Sequence, residues 1–211
     1  MALIMLRLAL VVVVLVSAGV TRPCQAATLF SAFARALGPQ EEAPHTVVHQ
    51  YEGFEERLYP AKKWACTKQN GSYSTGDQID VFLRLFGYIG GDNSKGEKLV
   101  MGTPVSVECR TEEEHKVYSA CFFIPEAAQA DPPAPTNPRV VITSRPDTTV
   151  FTRKFGGYAQ DEDTWNKEAE DLSEVLTEAG KSFTRNLVFW NAYDPPFKFW
   201  KRRNEVWLVR Q

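Results

Sequence analysis

Four prolines within seven residues, Pro132, Pro133, Pro135 and Pro138, divide the chain into two stretches that follow the same plan. Proline cannot donate a hydrogen bond to a sheet and favours extended backbone, so Glu126 to Arg139 reads as a linker. Before it, the chain is extended from about Thr46 to Thr67. A helix then runs from Thr75 to Ile89, stopped by Gly90-Gly91, and strands follow near Val100 to Cys109 and Val117 to Ile124. After it, Val140 to Lys154 is extended with a Pro-centred bend. Asp163 to Ala179 is a helix with Ala169, Leu172, Val175, Leu176 and Ala179 inward, and Asn186 to Tyr193 and Glu205 to Arg210 are strands. Pro60 and Pro146 lie 86 residues apart, and that offset lays the first helix on the second, Val105 on Asn191 and Tyr118 on Asn204. A β-α-β-β unit cannot bury both of its faces alone. The expected fold is therefore α+β: two β-α-β-β repeats, about 46–125 and 139–211, forming a distorted antiparallel β-barrel flanked by two long helices. Closure also removes exposed edges. Two separate α+β domains are the alternative, which the short linker and the unbroken composition disfavour.

The first 26 residues have a different character. Arg7 precedes an apolar run from Leu8 to Val16, and Cys24-Gln25-Ala26 places small residues at a cleavage position, the pattern of a secretory signal peptide. The run is short for a membrane span, although an uncleaved anchor is the alternative. Loss of this leader removes Arg7 and Arg22 and takes the net charge from −2 to −4. The remaining 27–211 reads as a single domain of the secretory pathway, secreted or luminal, with a short apolar-faced segment at Leu29 to Leu37. Without a sustained basic stripe it is not a nucleic-acid binder. Of the cysteines, Cys66, Cys109 and Cys121 remain, which implies one disulfide and a free thiol or three buried thiols. Asn70-Gly71-Ser72 is a glycosylation sequon.

The chemistry-bearing residues point to binding rather than catalysis. There is no hydrolase elbow, phosphate loop, dinucleotide fingerprint or metal pair of histidines, and His45, His49 and His115 fall at a strand start or in a turn. The first helix is apolar on more than one side. Ile79, Phe82, Leu83 and Phe86 form the expected inner seam, while Val81, Leu85 and Ile89 lie off it, so a second layer or a ligand is expected to cover them. The C-terminal stretch YDPPFKFWKRRNEVWLVRQ runs through a Pro-Pro turn into Phe197, Phe199 and Trp200, beside Lys198, Lys201, Arg202 and Arg203. These aromatics either cap the barrel or line a cleft, with cations at its lip for a carboxylate-bearing ligand.

Six motifs carry a family resemblance: YEGFEERLYPAKKWACT (51–67), YIGGDNSKG (88–96), MGTPV (101–105), PPAP (132–135), TVFTRKFGGYA (149–159) and YDPPFKFWKRRNEVWLV (193–209). Over roughly Tyr51 to Arg210 the sequence resembles the SOUL family of haem-binding proteins. The resemblance implies the two-repeat fold reached above and a haem or metal-free porphyrin ligand, with no secure enzymatic activity. It implies a groove lined by Val81, Phe82, Leu85, Phe86 and Ile89 on one side and Tyr193, Phe197 and Phe199 on the other, with Lys198 as a propionate partner. Some relatives carry a histidine in the first strand as an iron ligand, where this chain has Leu58. Met101 and Tyr88 are substitute candidates, but binding by burial of the macrocycle is the expected mode. A carrier, buffer or scavenger role follows, with no stable membrane span. The rivals are a small-molecule hydrolase of the related bacterial two-repeat barrels, with Glu205 or Asp194 as its acid, and a module whose groove takes a peptide helix.

Overall fold

The structure, a computed structural model, describes residues 40–71, 73–113, 115–159, 161–195, 198 and 200–211. The leader, the segment Leu29 to Leu37, Phe197 and Phe199 lie outside the described residues. The elements are β1 (Gln40–Glu42), β2 (Thr46–Gln50), β3 (Glu55–Tyr59), β4 (Lys62–Asn70), α1 (Thr75–Gly90), β5 (Met101–Thr103), β6 (Val105–Glu112), β7 (His115–Phe123), β8 (Val140–Arg145), β9 (Thr148–Phe155), α2 (Glu162–Glu178), β10 (Phe183–Ala192) and β11 (Asn204–Arg210). All but Gln40 belong to one compact unit, Glu41–Gln211.

Nine strands form one antiparallel sheet in the order β2-β3-β9-β11-β10-β6-β7-β4-β8, and β1 pairs with β5 in a second, two-stranded sheet. With β2 set aside, the order reads the same from either end once each strand is exchanged for its repeat counterpart: β3 for β8, β4 for β9, β6 for β10, β7 for β11. The pair β6–β10 lies at the centre. The two halves of the chain are interleaved rather than side by side: β3 pairs with β9, and β4 pairs with β8. These are two long strands, each bent at its proline. The register runs unbroken from Glu55↔Thr152 through Tyr59↔Thr148 and Lys62↔Arg145 to Thr67↔Val140, with Pro60 and Pro146 in the gap. Hydrogen bonding does not close the sheet, which has β2 and β8 as its edges. The expected closed barrel is thus replaced by a sheet joined across its ends through two bent strands.

The two faces carry different layers. Inward, Tyr59, Trp64, Cys66, Cys121, Phe123, Phe189 and Trp207 form the core cluster. Cys66 and Cys121 face each other across β4 and β7 and are disulfide-bonded, while Cys109 is a buried free thiol. Outward, α1 lies over β4, β7 and β8, and α2 over β9 and β11. Burying side chains on both faces of a sheet is what makes its strands read as near-continuous apolar runs. Gly102, in the MGTPV motif, has no alternative: a Cβ there would overlap the Phe123 carbonyl.

Local sequence sets the helix ends. Ser74 caps α1 by accepting from the Asp77 N–H while the Asp77 carboxylate accepts from the Ser74 N–H, a capping box, and Gly91 closes the helix with φ 120°. Asp161 caps α2 by accepting from Thr164 N–H at 2.7 Å. Trp165, Ala169, Leu172 and Leu176 are its buried residues. Val175 is only half-buried and Ala179 is exposed, because the helix has already ended there.

Candidate functional site

The apolar breadth of α1 is confirmed, but its inner seam lies elsewhere than expected. Val81, Leu85, Tyr88 and Ile89 are buried, whereas Ile79, Phe82, Leu83 and Phe86 are half-buried. The reason is a slip in phase between strands and helix. At the offset of 86 that relates the two prolines, the buried Trp165, Ala169 and Leu172 of α2 correspond to Ile79, Leu83 and Phe86. Four residues separate β4 from α1 and six separate β9 from α2. A helix turns about 100° per residue, so a slip of one or two residues presents a different face to the sheet.

The half-buried stripe is an aromatic surface. Phe82 and Phe86 stack with ring centres 5.8 Å apart and planes 15° apart, and Phe82 meets the fully buried Phe122 edge-on at 5.5 Å. The linker covers the end of the same helix and is therefore more than a spacer. The Tyr88 hydroxyl donates to Pro133 O at 3.0 Å, and Ser94 N–H donates to Ala134 O at 2.7 Å. Asn93, buried, donates from its side-chain amide to the carbonyls of Tyr88 and Glu97. Burial pushes the Tyr88 phenol up to about 12, and its proton is already given to a carbonyl, which leaves it a poor iron ligand. Met101 is buried in β5. Leu58 is an exposed residue of β3.

The far wall is only partly described, since Phe197 and Phe199 fall outside it. Lys198 donates to Asp194 at 2.6 Å and is itself partly exposed. Tyr193 is buried and turns its hydroxyl to Glu205 at 2.8 Å. It therefore belongs to a polar cluster on the inner side of the sheet, whereas α1 packs on the outer side.

That cluster is the feature sequence reasoning missed. Glu205 is 0% exposed and Arg57 is 1% exposed. The Glu205 carboxylate accepts from Arg57 (2.9 and 3.3 Å), Arg203 (2.8 Å), Trp207 Nε1 (2.9 Å), Tyr193 (2.8 Å) and Thr152 (3.4 Å). Arg57 also reaches Glu55 and the Tyr59 hydroxyl. Burial alone would raise the Glu205 carboxyl. The Arg57 charge, the Trp207 hydrogen bond and Arg203 outweigh it and hold it below its ordinary value. Glu55, pushed up by burial and down by Lys154 and Arg57, settles at about 2. The only sequence signal was alternation: Arg57 sits between Glu56 and Leu58, and Glu205 opens an apolar strand, where period-two patterning places both inward.

The chain belongs to the SOUL family. The family model described as SOUL heme-binding protein matches residues 40–209. Among curated proteins, the chain is 32% identical over 160 residues to heme-binding protein 1 of Bos taurus, covering 74% of this chain and 83% of that protein. It is 31% identical over 177 residues to heme-binding protein 2 of Mus musculus, covering 82% and 85%. Solved structures share the fold at much lower identity. The EcmrR C-terminal domain superposes with a TM-score of 0.55 at 9% identity, covering 75% of this chain and 96% of that one. A hydrolase from Listeria innocua gives 0.51 at 8%, covering 86% and 98%.

Proposed function

We propose that this chain binds haem or a metal-free porphyrin against the half-buried face of α1 and serves as a carrier, buffer or scavenger. The observation that carries the reading is the stacked Phe82–Phe86 pair, an aromatic surface left partly open by the sheet below and the linker beside it. Phe82 and Phe86 would contact the flat face of the macrocycle, with Val81, Leu85 and Ile89 as the packed backing. Lys198 and the loop around it would meet the propionates, sharing Lys198 with Asp194. The bent sheet acts as a distorted barrel that holds both walls. We further propose that the leader routes the protein into the secretory pathway and that Asn70, exposed at the end of β4, carries a glycan.

The residues fit a porphyrin better than they fit an iron-ligating pocket. Among the described histidines, His45 lies against Tyr59, His49 against Tyr51, and His115 is exposed at the start of β7. None is on α1. Binding then rests on burial. At about 25 cal/mol per Å², a few hundred Å² of apolar porphyrin gives several kcal/mol, which association costs reduce to affinities of about micromolar or somewhat tighter. The hydrolase alternative draws no support from Glu205, whose oxygens are saturated by donors and whose carboxyl is held low. Nor does Asp194 support it, with its oxygens accepting from Lys198 and the Arg203 N–H.

The test is an absorbance and Trp-fluorescence titration of residues 27–211 with haemin and protoporphyrin IX side by side. Both should bind with similar affinity. Phe86→Asp should weaken both about tenfold or more, and Lys198→Ala should cost about 1 kcal/mol, as for a partly solvated charged contact. Binding of haemin without protoporphyrin would mean that a side chain ligates the iron and that the burial model is wrong.

A further inference from the structure

The two repeats differ sharply at their hairpins. The β6–β7 hairpin is closed by two residues, 113–114, whereas β10 and β11 are joined by eleven, Tyr193 to Arg203. A two-residue turn suffices to join antiparallel strands, so this loop is longer than the join requires; its ends, Tyr193 and Arg203, donate to Glu205. Its tip presents Trp200, 72% exposed, the most exposed large hydrophobic side chain among the described residues. We propose that this tip is a docking element for an anionic lipid surface, with Trp200 as the interfacial anchor and Lys201 as the headgroup contact.

The loop is built to hold that tip. The Arg202 guanidinium donates to three carbonyls of the loop, those of Asp194 (3.1 Å), Pro195 (2.7 Å) and Lys198 (3.0 Å), and lies over the Tyr158 ring at 4.4 Å. The Tyr158 hydroxyl donates to the Lys198 carbonyl, and Asp194 takes both the Lys198 ammonium and the Arg203 N–H. Lys201 adopts φ 49°, a left-handed conformation unusual for a lysine, which persists where surrounding bonds over-determine the backbone. Among the described residues, the Lys198 ammonium, the Asp194 carboxylate and the carbonyls of Asp194, Pro195 and Lys198 are thus met within the loop, while Trp200 and Lys201 are exposed and the partly exposed Tyr158 lies under Arg202.

Charge selects the partner. Within Asp194 to Arg203, Lys198 pairs with Asp194 and Arg203 with Glu42 and Glu205, so Lys201 and Arg202 supply the loop's positive excess in a chain of net charge −2. An anionic surface attracts the tip and repels the body, so the molecule would approach it tip first. Trp and Tyr favour the membrane–water interface, and lysine extends past them to lipid phosphates. A small-molecule subsite needs a concavity, whereas this indole stands in solvent. The inference does not depend on the porphyrin reading.

The experiment is co-sedimentation of residues 27–211, which retain the whole compact unit, with vesicles of phosphatidylcholine plus phosphatidylserine or of phosphatidylcholine alone. We expect binding to the anionic vesicles only, weakened by salt. Lys201→Ala should lower the partition constant about fivefold, the equivalent of about 1 kcal/mol per lysine at an anionic surface. Trp200→Ala should lower it further, and Trp200→Phe should restore part of it. The proposal is overturned if the anionic vesicles fail to bind, if neutral vesicles bind equally, or if Trp200→Ala binds as well as the unmodified chain. It is equally overturned if Trp200→Ala leaves vesicle binding intact but lowers haemin affinity in lipid-free solution, since the indole would then be a ligand wall.

Discussion

The two helices occupy equivalent places in an interleaved sheet, yet only one of them is finished. α2 buries Trp165, Ala169, Leu172 and Leu176 and turns charged residues outward, among them Lys167 and Asp171, which pair across one turn. α1 buries Val81, Leu85, Tyr88 and Ile89 and still has an aromatic stripe to spare. The frame demands one buried face per helix. What exceeds that demand is the half-buried aromatic stripe on which the proposed porphyrin site rests.

The largest expected effect tests the demand itself. Leu85 and Leu172 are both 0% exposed, so Leu85→Ala and Leu172→Ala should each destabilise the fold by about 3 kcal/mol. Urea unfolding measures this, and a Leu85→Ala cost far below that of Leu172→Ala would mean that α1 is not anchored as its partner is. A smaller effect probes the excess. Phe86→Gln should cost only about 1 kcal/mol of stability while reducing porphyrin binding severely. A stability loss as large as that of Leu85→Ala would make the stripe part of the core and remove the contrast.

The smallest effect concerns the caps, which differ in chemistry. Ser74→Ala should remove about 0.5 kcal/mol. The α2 cap is an acid held below the usual carboxylate range, first by the Thr164 N–H and then by its hydroxyl. A carboxyl with a depressed folded-state value contributes stability above its unfolded value and loses that contribution as pH falls through the folded one. Acid titration followed by circular dichroism should therefore show a difference between the unmodified chain and Asp161→Asn near neutrality that fades at low pH. A difference that persists there would show that Asp161 does not cap as an ionised group.

Most of the frame was legible because it rests on periodicity and punctuation. The prolines, the helical spacing of apolar residues and the Gly90-Gly91 stop place the two helices and the long strands to within a few residues. What was not legible depended on loop length and on long-range partners. The offset set by Pro60 and Pro146 does not survive into the helices, so the buried face of α1 could not be read by analogy with α2. Nor does it survive to the last strands: fourteen residues separate α1 from β6 but four separate α2 from β10, and the turn after β6 has two residues where that after β10 has eleven. The pairing of Arg57 with Glu205 spans 148 residues, and neither side chain names its partner locally. Of the residues expected to line the groove, Tyr193 is engaged with Glu205 on the opposite face of the sheet from α1.

The interleaving of strands has a consequence for cutting the chain. A protease that nicks the crossing segment at Asn137 would sever the covalent joint between the halves, but β3 would still be zipped to β9, β4 to β8 and β6 to β10. The two fragments would stay together as a non-covalent complex, and fragments expressed apart should find each other, whereas neither alone has a complete surface on which to fold.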